Sequence, residues 1–401
     1  MSNILLISTI YPIPEKGNQG TPVCHYFTRE WLKMGCNVRV VHFQSVYPAP
    51  FYWMARLNRE RIAAKTGAVV YTKRDKGGRY EMEGVPVNRI PLFKPMPHGG
   101  YTKWTINKAI DAIIGWLKKD DFTPDVIAGH FPNPQIEVVG RLRECWSQAK
   151  TAIVMHGDIE IARKVYGDRL LELCQKIDLW GFRSDSVRKL FESKIMPVKR
   201  SFICYSGIPE DYVTHENKHV FDEPLKRFVY VGEMIDRKYP LRVMDALKKA
   251  YPGGSYQLTY VGDGYLLNEI HNRVEQESLS DKVKILRKIP RDSIKTEYDK
   301  ADCMVMISRG EAYGLVYLEA MARGCITIAS RDEGFDGVIK DGVNGFLCKA
   351  GDANELASLF QRINALSSEE RASISANAIA TAKSLTDYKA AQLYLEDLQN
   401  K

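Results

Sequence analysis

The sequence predicts an α/β protein built as two doubly wound, Rossmann-like domains, and three observations carry that prediction. At 401 residues the chain is long enough for two substantial cores. Short apolar runs alternate with Gly-marked turns and helical stretches along both halves. Residues 308–330, SRGEAYGLVYLEAMARGCITIAS, set a loop, a helix and a strand in immediate succession after the apolar run 303–307. The predicted division is a first domain over 1–206, a linker over 207–226 and a second domain over 227–383.

Taken in order, 3–8 is a buried strand, followed by a Pro- and Gly-rich loop through Gly17 and Gly20. A helix runs to Met34, Gly35 caps it, and 37–43 is a second strand. Two basic-aromatic segments, 47–61 (YPAPFYWMARLNRER) and 93–104, read first as helix packing its aromatics into the domain core. The other reading is a rim for a membrane or a lipid-linked acceptor. Strands follow at 125–128 and 151–155, the second leading into His156, Gly157 and Asp158. A short strand at 179–183, a helix at 187–192 and a strand at 201–205 complete the first half. The second half opens with a strand over 228–232. It continues with strands at 257–261 and 284–286, then 303–307 and 325–329. Helices at 355–366, 369–384 and 388–399 close the chain.

The stretch 308–330 also carries chemistry. Glu311 lies in the turn after a strand and Glu319 in the second turn of the following helix, expected over 315–323, so the helix start falls between the two carboxylates. A helix N-terminus offers unpaired N–H groups and the positive end of a dipole, which suits phosphate. Gly314 lets an anion approach the backbone, and carboxylates on either side accept hydrogen bonds from sugar hydroxyls. Such an arrangement suits a diphosphate with a sugar at each end.

Composition narrows the alternatives. With 45% hydrophobic and 26% charged residues the chain has ordinary globular composition, and no apolar run approaches membrane-span length. The first ten residues lack a basic leader and read as a strand rather than a signal peptide, which argues for the cytoplasm. Eight scattered cysteines form no C-x-x-C pair, so neither a zinc site nor a disulfide framework is expected. A net charge of +8 suits phosphorylated substrates or lipid headgroups, and no nucleic-acid module is visible.

Glu311 and Glu319, with Gly314 between them and Ala320, Met321, Ala322 and Gly324 after, resemble the E-x7-E motif of the retaining glycosyltransferases of family 4, the group 1 glycosyltransferases. The resemblance implies a GT-B fold, two Rossmann-like domains facing each other across a cleft, with the last helix, from about 384, crossing back to the first domain. It also implies a donor site. Lys238 matches a lysine that holds the donor diphosphate. Glu233 stands where the family has arginine, and Arg237 is the candidate to supply the missing cation. Gly232, Gly262 and Ile289 fall at the family's nucleotide-contacting turns, and Gly17 and Gly20 in its first loop, without the usual Gly-Gly. Backbone N–H groups at Tyr313, Gly314, Leu315 and Val316 would face phosphate. Glu311 would hold the donor-sugar hydroxyls, Glu319 the ribose, and His156 would position the sugar. Ser206 replaces the family's asparagine and carries no binding role.

The expected function is therefore a cytoplasmic retaining glycosyltransferase. It would use a nucleotide-diphosphate sugar and a saccharide or lipid-linked acceptor of bacterial polysaccharide biosynthesis, with peripheral membrane contact as a further partner. Neither a cofactor nor a dedicated metal is expected, since no Asp-x-Asp or clustered ligand set closes a strand. Two alternatives stay open: another enzyme of the same fold, such as an epimerase or phosphorylase, and a non-catalytic nucleotide-sugar-binding subunit, which Glu233 motivates.

Overall fold

The structure, a computed structural model, describes residues 2–14, 22–66, 70–97, 99–214, 221 and 224–400. Gly17 and Gly20 lie outside the described residues. The chain divides into two compact units. One comprises Met1–Arg183, Val187–Tyr205 and Asp387–Lys401, and the other Ser184–Ser186 and Ser206–Thr386.

Unit 1 runs β1 (Asn3–Ser8), α1 (Val23–Lys33), β2 (Asn37–Val46), α2 (Ala49–Thr66), β3 (Gly78–Met82), β4 (Val85–Phe93) and α3 (Lys103–Lys119). It continues with β5 (Val126–His130), α4 (Gln135–Cys145), β6 (Lys150–Met155), α5 (Ile159–Tyr166), α6 (Arg169–Gln175), β7 (Leu179–Phe182), α7 (Asp185–Lys194) and β8 (Ser201–Ile203). The eight strands form one sheet in the order β3-β4-β2-β1-β5-β6-β7-β8, parallel except for the β3–β4 pair. β1, with partners on both sides, buries Ile4 to Ile7 completely, as a central parallel strand covered on both faces must.

Unit 2 runs β9 (Arg227–Val231), α8 (Pro240–Ala250), β10 (Gln257–Val261), α9 (Leu267–Gln276), β11 (Val283–Leu286), α10 (Arg291–Lys300) and β12 (Cys303–Val305). Then come α11 (Leu315–Ala322), β13 (Ile326–Ser330), β14 (Phe346–Cys348), α12 (Ala353–Asn364) and α13 (Ser368–Lys383). Its sheet is parallel throughout, in the order β11-β10-β9-β12-β13-β14. The order reverses between β9 and β12, where consecutive crossovers leave in opposite directions. A crevice opens at the carboxyl ends of such neighbours, and ligands bind there in open α/β sheets.

The last helix, α14 (Asp387–Asn400), packs into unit 1. Its Tyr394 ring meets Phe27, Trp31 and Phe202 at centroid distances of 5.0–5.2 Å. The indole N–H of Trp31 donates to the Ala391 carbonyl at 2.9 Å. An apolar i, i+4 and i+8 row, Ala390, Tyr394 and Leu398, supplies the buried stripe.

Two expectations are corrected. The segment 207–226 does not hang between the units as a linker, since its described residues pack into unit 2. Ile208 bridges Thr386, Tyr212 is buried, the Thr214 N–H donates to the Ala322 carbonyl at 3.0 Å, and the Leu225 N–H donates to Asn364 Oδ1 at 2.9 Å. Apolar side chains interleaved with the polar ones give this segment surface to bury. The aromatics of 47–61 and 93–104 are not all core either: Tyr52 is buried, but Trp53 and Trp104 are 65% and 63% exposed.

Candidate active site

The site is assembled at the switch point of unit 2. Beyond β9 the chain turns at Gly232, whose N–H donates to the Val261 carbonyl at 3.0 Å, so the loops after β9 and β10 lie against each other. Gly262 holds φ at +148°, and a Cβ there would collide with the Gly232 carbonyl oxygen. Only glycine lets the two backbones come so close. The Lys238 amino group lies against Gly232, 3.6 Å from where a Cβ at that residue would stand. Lys238 closes a short 3-10 turn, Asp236–Lys238, just ahead of α8.

Glu311 comes from the loop after β12, the neighbouring strand. Its Oε2 lies 3.4 Å from Lys238 Nζ and 3.9 Å from Arg237 Nη1. Lys238 and Glu311 are mostly buried, so their attraction is screened less than that of a surface pair. Among the described residues, Glu311 Oε2 has no hydrogen-bond partner despite its burial. Two cations thus converge on one carboxylate at a sheet crevice. Glu233 is half exposed, and its Oε2 lies 3.9 Å from Arg237 Nη2. The acid at the position where the family has arginine is therefore faced by the cation four residues on.

Gly314 forms the N-cap of α11 with φ at +91° and no side-chain cap. The first N–H groups of α11, at Leu315 and Val316, lack i−4 partners within the helix and form its electropositive end. Tyr313 turns the other way. Its side chain is buried, its hydroxyl donates to the Ser206 carbonyl at 2.9 Å, and its ring meets Phe335 edge-on at 5.5 Å. Its side chain therefore serves packing. Ile289 is half-buried in the loop between β11 and α10.

Glu319 is buried on α11 and held by Arg291, whose Nε donates to Oε1 at 2.8 Å. Burial pushes the Glu319 carboxyl above its usual value, against the pull of Arg291 and of a hydrogen bond from Tyr298. Arg291 also lies over the Tyr212 ring at 5.3 Å.

His156 is in unit 1, just beyond β6, and stacks on Phe131 with centroids 4.0 Å apart. Its Nε2 is 2.9 Å from Nδ1 of His130, so one of these nitrogens donates and the other accepts. Burial lowers both imidazoles, and Arg183 adds to the effect. His130 falls to about 3, and His156 falls well below its ordinary value, with His130 as a further cause.

Three neighbours escaped the sequence reading. His130 closes β5, and its signal was its place at the carboxyl end of a strand. Arg291 opens α10 two residues after Ile289, and no spacing rule ties it to Glu319. Glu333 accepts the Glu311 N–H at 3.0 Å and so steadies the Glu311 loop. Burial raises its carboxyl even though N–H groups of Gly310 and Glu311 donate to it. The described residues contain no group of three His, Cys, Asp or Glu placed to hold a metal ion. All eight cysteines are free, and seven of them are buried.

Residues 212–381, most of unit 2, match the family model of the group 1 glycosyl transferases. The two Rossmann-like units match solved GT-B structures over their whole length. The class is thereby defined: a GT-B-fold glycosyltransferase related to the group 1 family. Among particular proteins, the chain is similar to the amylovoran biosynthesis glycosyltransferase AmsK of Erwinia amylovora. The two are 25% identical over 358 residues, 83% of this chain and 85% of that one. It superposes on the sucrose-phosphate synthase of Thermosynechococcus elongatus with a TM-score of 0.68 at 18% identity, covering 100% of this chain and 98% of that one. Anabaena HepE, solved with UDP-glucose, gives a TM-score of 0.66 at 16% identity with 100% of both chains covered.

Proposed function

We propose that this protein transfers a sugar, with retention at the anomeric carbon, from a nucleoside-diphosphate sugar to an acceptor hydroxyl. The observation that carries the reading is the convergence of Lys238, Arg237 and Glu311 beside the start of α11 at the sheet's switch point. Cleaving the bond between the anomeric carbon and the phosphate oxygen puts charge on the leaving β-phosphate. Lys238, Arg237 and the N–H groups of Leu315 and Val316 are donors able to receive it. When a diphosphate arrives, the two cations turn from Glu311 to phosphate, leaving the carboxylate to accept hydrogen bonds from sugar hydroxyls and to support the cation-like carbon. The acceptor oxygen bonds to the anomeric carbon on the face the phosphate leaves, and its proton passes to the departing phosphate oxygen. Glu319, anchored by Arg291, takes the ribose hydroxyls. The acceptor is a saccharide or lipid-linked saccharide of bacterial surface-polysaccharide assembly, a reading supported by the long match to the amylovoran enzyme. We further propose that the reaction takes place in the cytoplasm.

The test is nucleotide release from a panel of UDP-, GDP- and ADP-sugars. One donor is expected to be hydrolysed slowly, and Glu311→Ala to lower that rate by roughly a hundredfold or more. Tight donor binding with no release, even with lipid-linked acceptors present, would instead support a non-catalytic subunit.

A further inference from the structure

A second surface lies on unit 1, built from α2, the chain after β4 and the start of α3. On α2, Trp53, Met54 and Leu57 are 65%, 43% and 66% exposed, while Tyr52 and Ala55 turn inward. Residues 53 and 57 stand one helical turn apart with 54 beside them, so the three share one outward face. The pairing of β2 with β4 sets Val46 opposite Phe93. The chain leaving β2 into α2 and the chain leaving β4 toward Met96 therefore emerge side by side at the carboxyl ends of these parallel strands. Met96 is 65% exposed. Trp104, in the first turn of α3, lines with Val46 and Phe93 a pocket of about 490 Å³ at the same end. Three segments separated in sequence thus bring five large apolar tips to one end of the sheet.

Cations surround these tips. Arg56 and Arg59 are exposed on α2 and Lys103 on α3. Arg74, Lys76 and Lys108 line the pocket, and Lys108 Nζ lies 4.0 Å above the Trp104 ring. The one acid among the pocket's lining residues is Asp75, which Arg89 Nε approaches at 3.1 Å. Exposed tryptophans cost free energy in water and prefer the boundary between headgroups and acyl chains, and lysine and arginine stems let the charged ends reach lipid phosphates. A second copy of this face would bring like charges together, so charge complementarity favours an anionic partner.

We propose that this end of unit 1 is a docking surface for an anionic lipid bilayer, with the tips of α2 and α3 entering the interface and the flanking cations on headgroup phosphates. It rests on unit 1 alone and goes beyond the transfer reading.

The experiment is flotation of the full chain with phosphatidylcholine vesicles, with and without phosphatidylglycerol. The protein is expected to float with the anionic vesicles and to stay behind with the neutral ones. The double variant Trp53→Ser, Leu57→Ser is expected to lower partitioning roughly tenfold or more. Lys103→Glu with Lys108→Glu is expected to lower it roughly fivefold or more per cation and to flatten the salt dependence. All four side chains are exposed, and circular dichroism checks that the variants fold. Donor release in solution should match wild type in both variants, so failure of the membrane reading is separable from failure of the transfer reading. Equal binding to both vesicle types, no binding to either, or variants that float like wild type would overturn the proposal. A dimer that the Trp53 and Leu57 changes dissociate would assign the face to a second copy and overturn it as well.

Discussion

His130 and His156 lie 2.9 Å apart, and the fold disfavours the charged form of both. In the unfolded chain each titrates near 6.5, whereas folded His130 holds out to about 3. Between those values the unfolded state binds more protons, so stability is complete above pH 6.5 and falls as the pH drops toward 3. His130 contributes a slope of roughly 1.4 kcal/mol per pH unit inside that window, and His156 shifts stability in the same direction. His130→Asn is expected to flatten the pH dependence of the urea midpoint between pH 6 and about 4. An unchanged slope would mean that carboxylates carry the acid response. Glu319 is a contrasting residue: burial raises its carboxyl, so its ionised form opposes folding, and Arg291 offsets part of that cost. The sequence places Glu319 on its helix through the spacing from Glu311. It gives no hint of Arg291, because the partner arrives from another element.

At the scale of the element, the Glu311 loop and α11 work as one piece. Gly314 takes a left-handed conformation that a side chain rarely adopts, and a Cβ there would run into the Tyr317 ring. That ring cannot easily yield, since the Tyr317 hydroxyl donates to the Met306 carbonyl at 2.8 Å and the residue is buried. Gly314→Ala is therefore expected to cost about 1–3 kcal/mol in chemical denaturation. It should also suppress nucleotide release, because the start of α11 is displaced. Gly310 makes a useful control: its φ is +66°, but nothing lies within 4 Å of an added Cβ. Gly310→Ala should carry the backbone strain alone, at the lower end of that range. If the two variants cost the same, the collision with Tyr317 is relieved and the argument for glycine at 314 fails. The strand, turn and helix of this piece are legible in the sequence, since apolar runs and glycines mark each boundary. Its steadying by Glu333 is not, because that bond depends on how the loop after β13 folds back.

For the whole molecule, α14 ties the end of the chain into the core of unit 1 through Tyr394, Ala391 and Trp31. Tyr394→Ala removes a ring packed against Phe27, Trp31 and Phe202 and is expected to cost about 3–5 kcal/mol. In a two-unit chain the loss should appear in the unfolding transition of unit 1 and leave that of unit 2 in place, as followed by urea titration. Equal shifts of both transitions would show that the units unfold together. By itself the sequence determined the α/β class, the positions of most parallel strands, though not of β4 or β14, and the strand–turn–helix setting of Glu311, Gly314 and Glu319. Those features rest on local periodicity, on glycine at forced turns and on helix starts, all written within a few residues of each other. Only the tertiary structure decided which cations meet Glu311, that His130 faces His156, that Tyr313 serves packing, and that Trp53 and Trp104 face outward at one end of the sheet. Each of these depends on strand order and crossover direction, which bring distant residues together, and neither hydropathy nor spacing along the chain encodes that meeting.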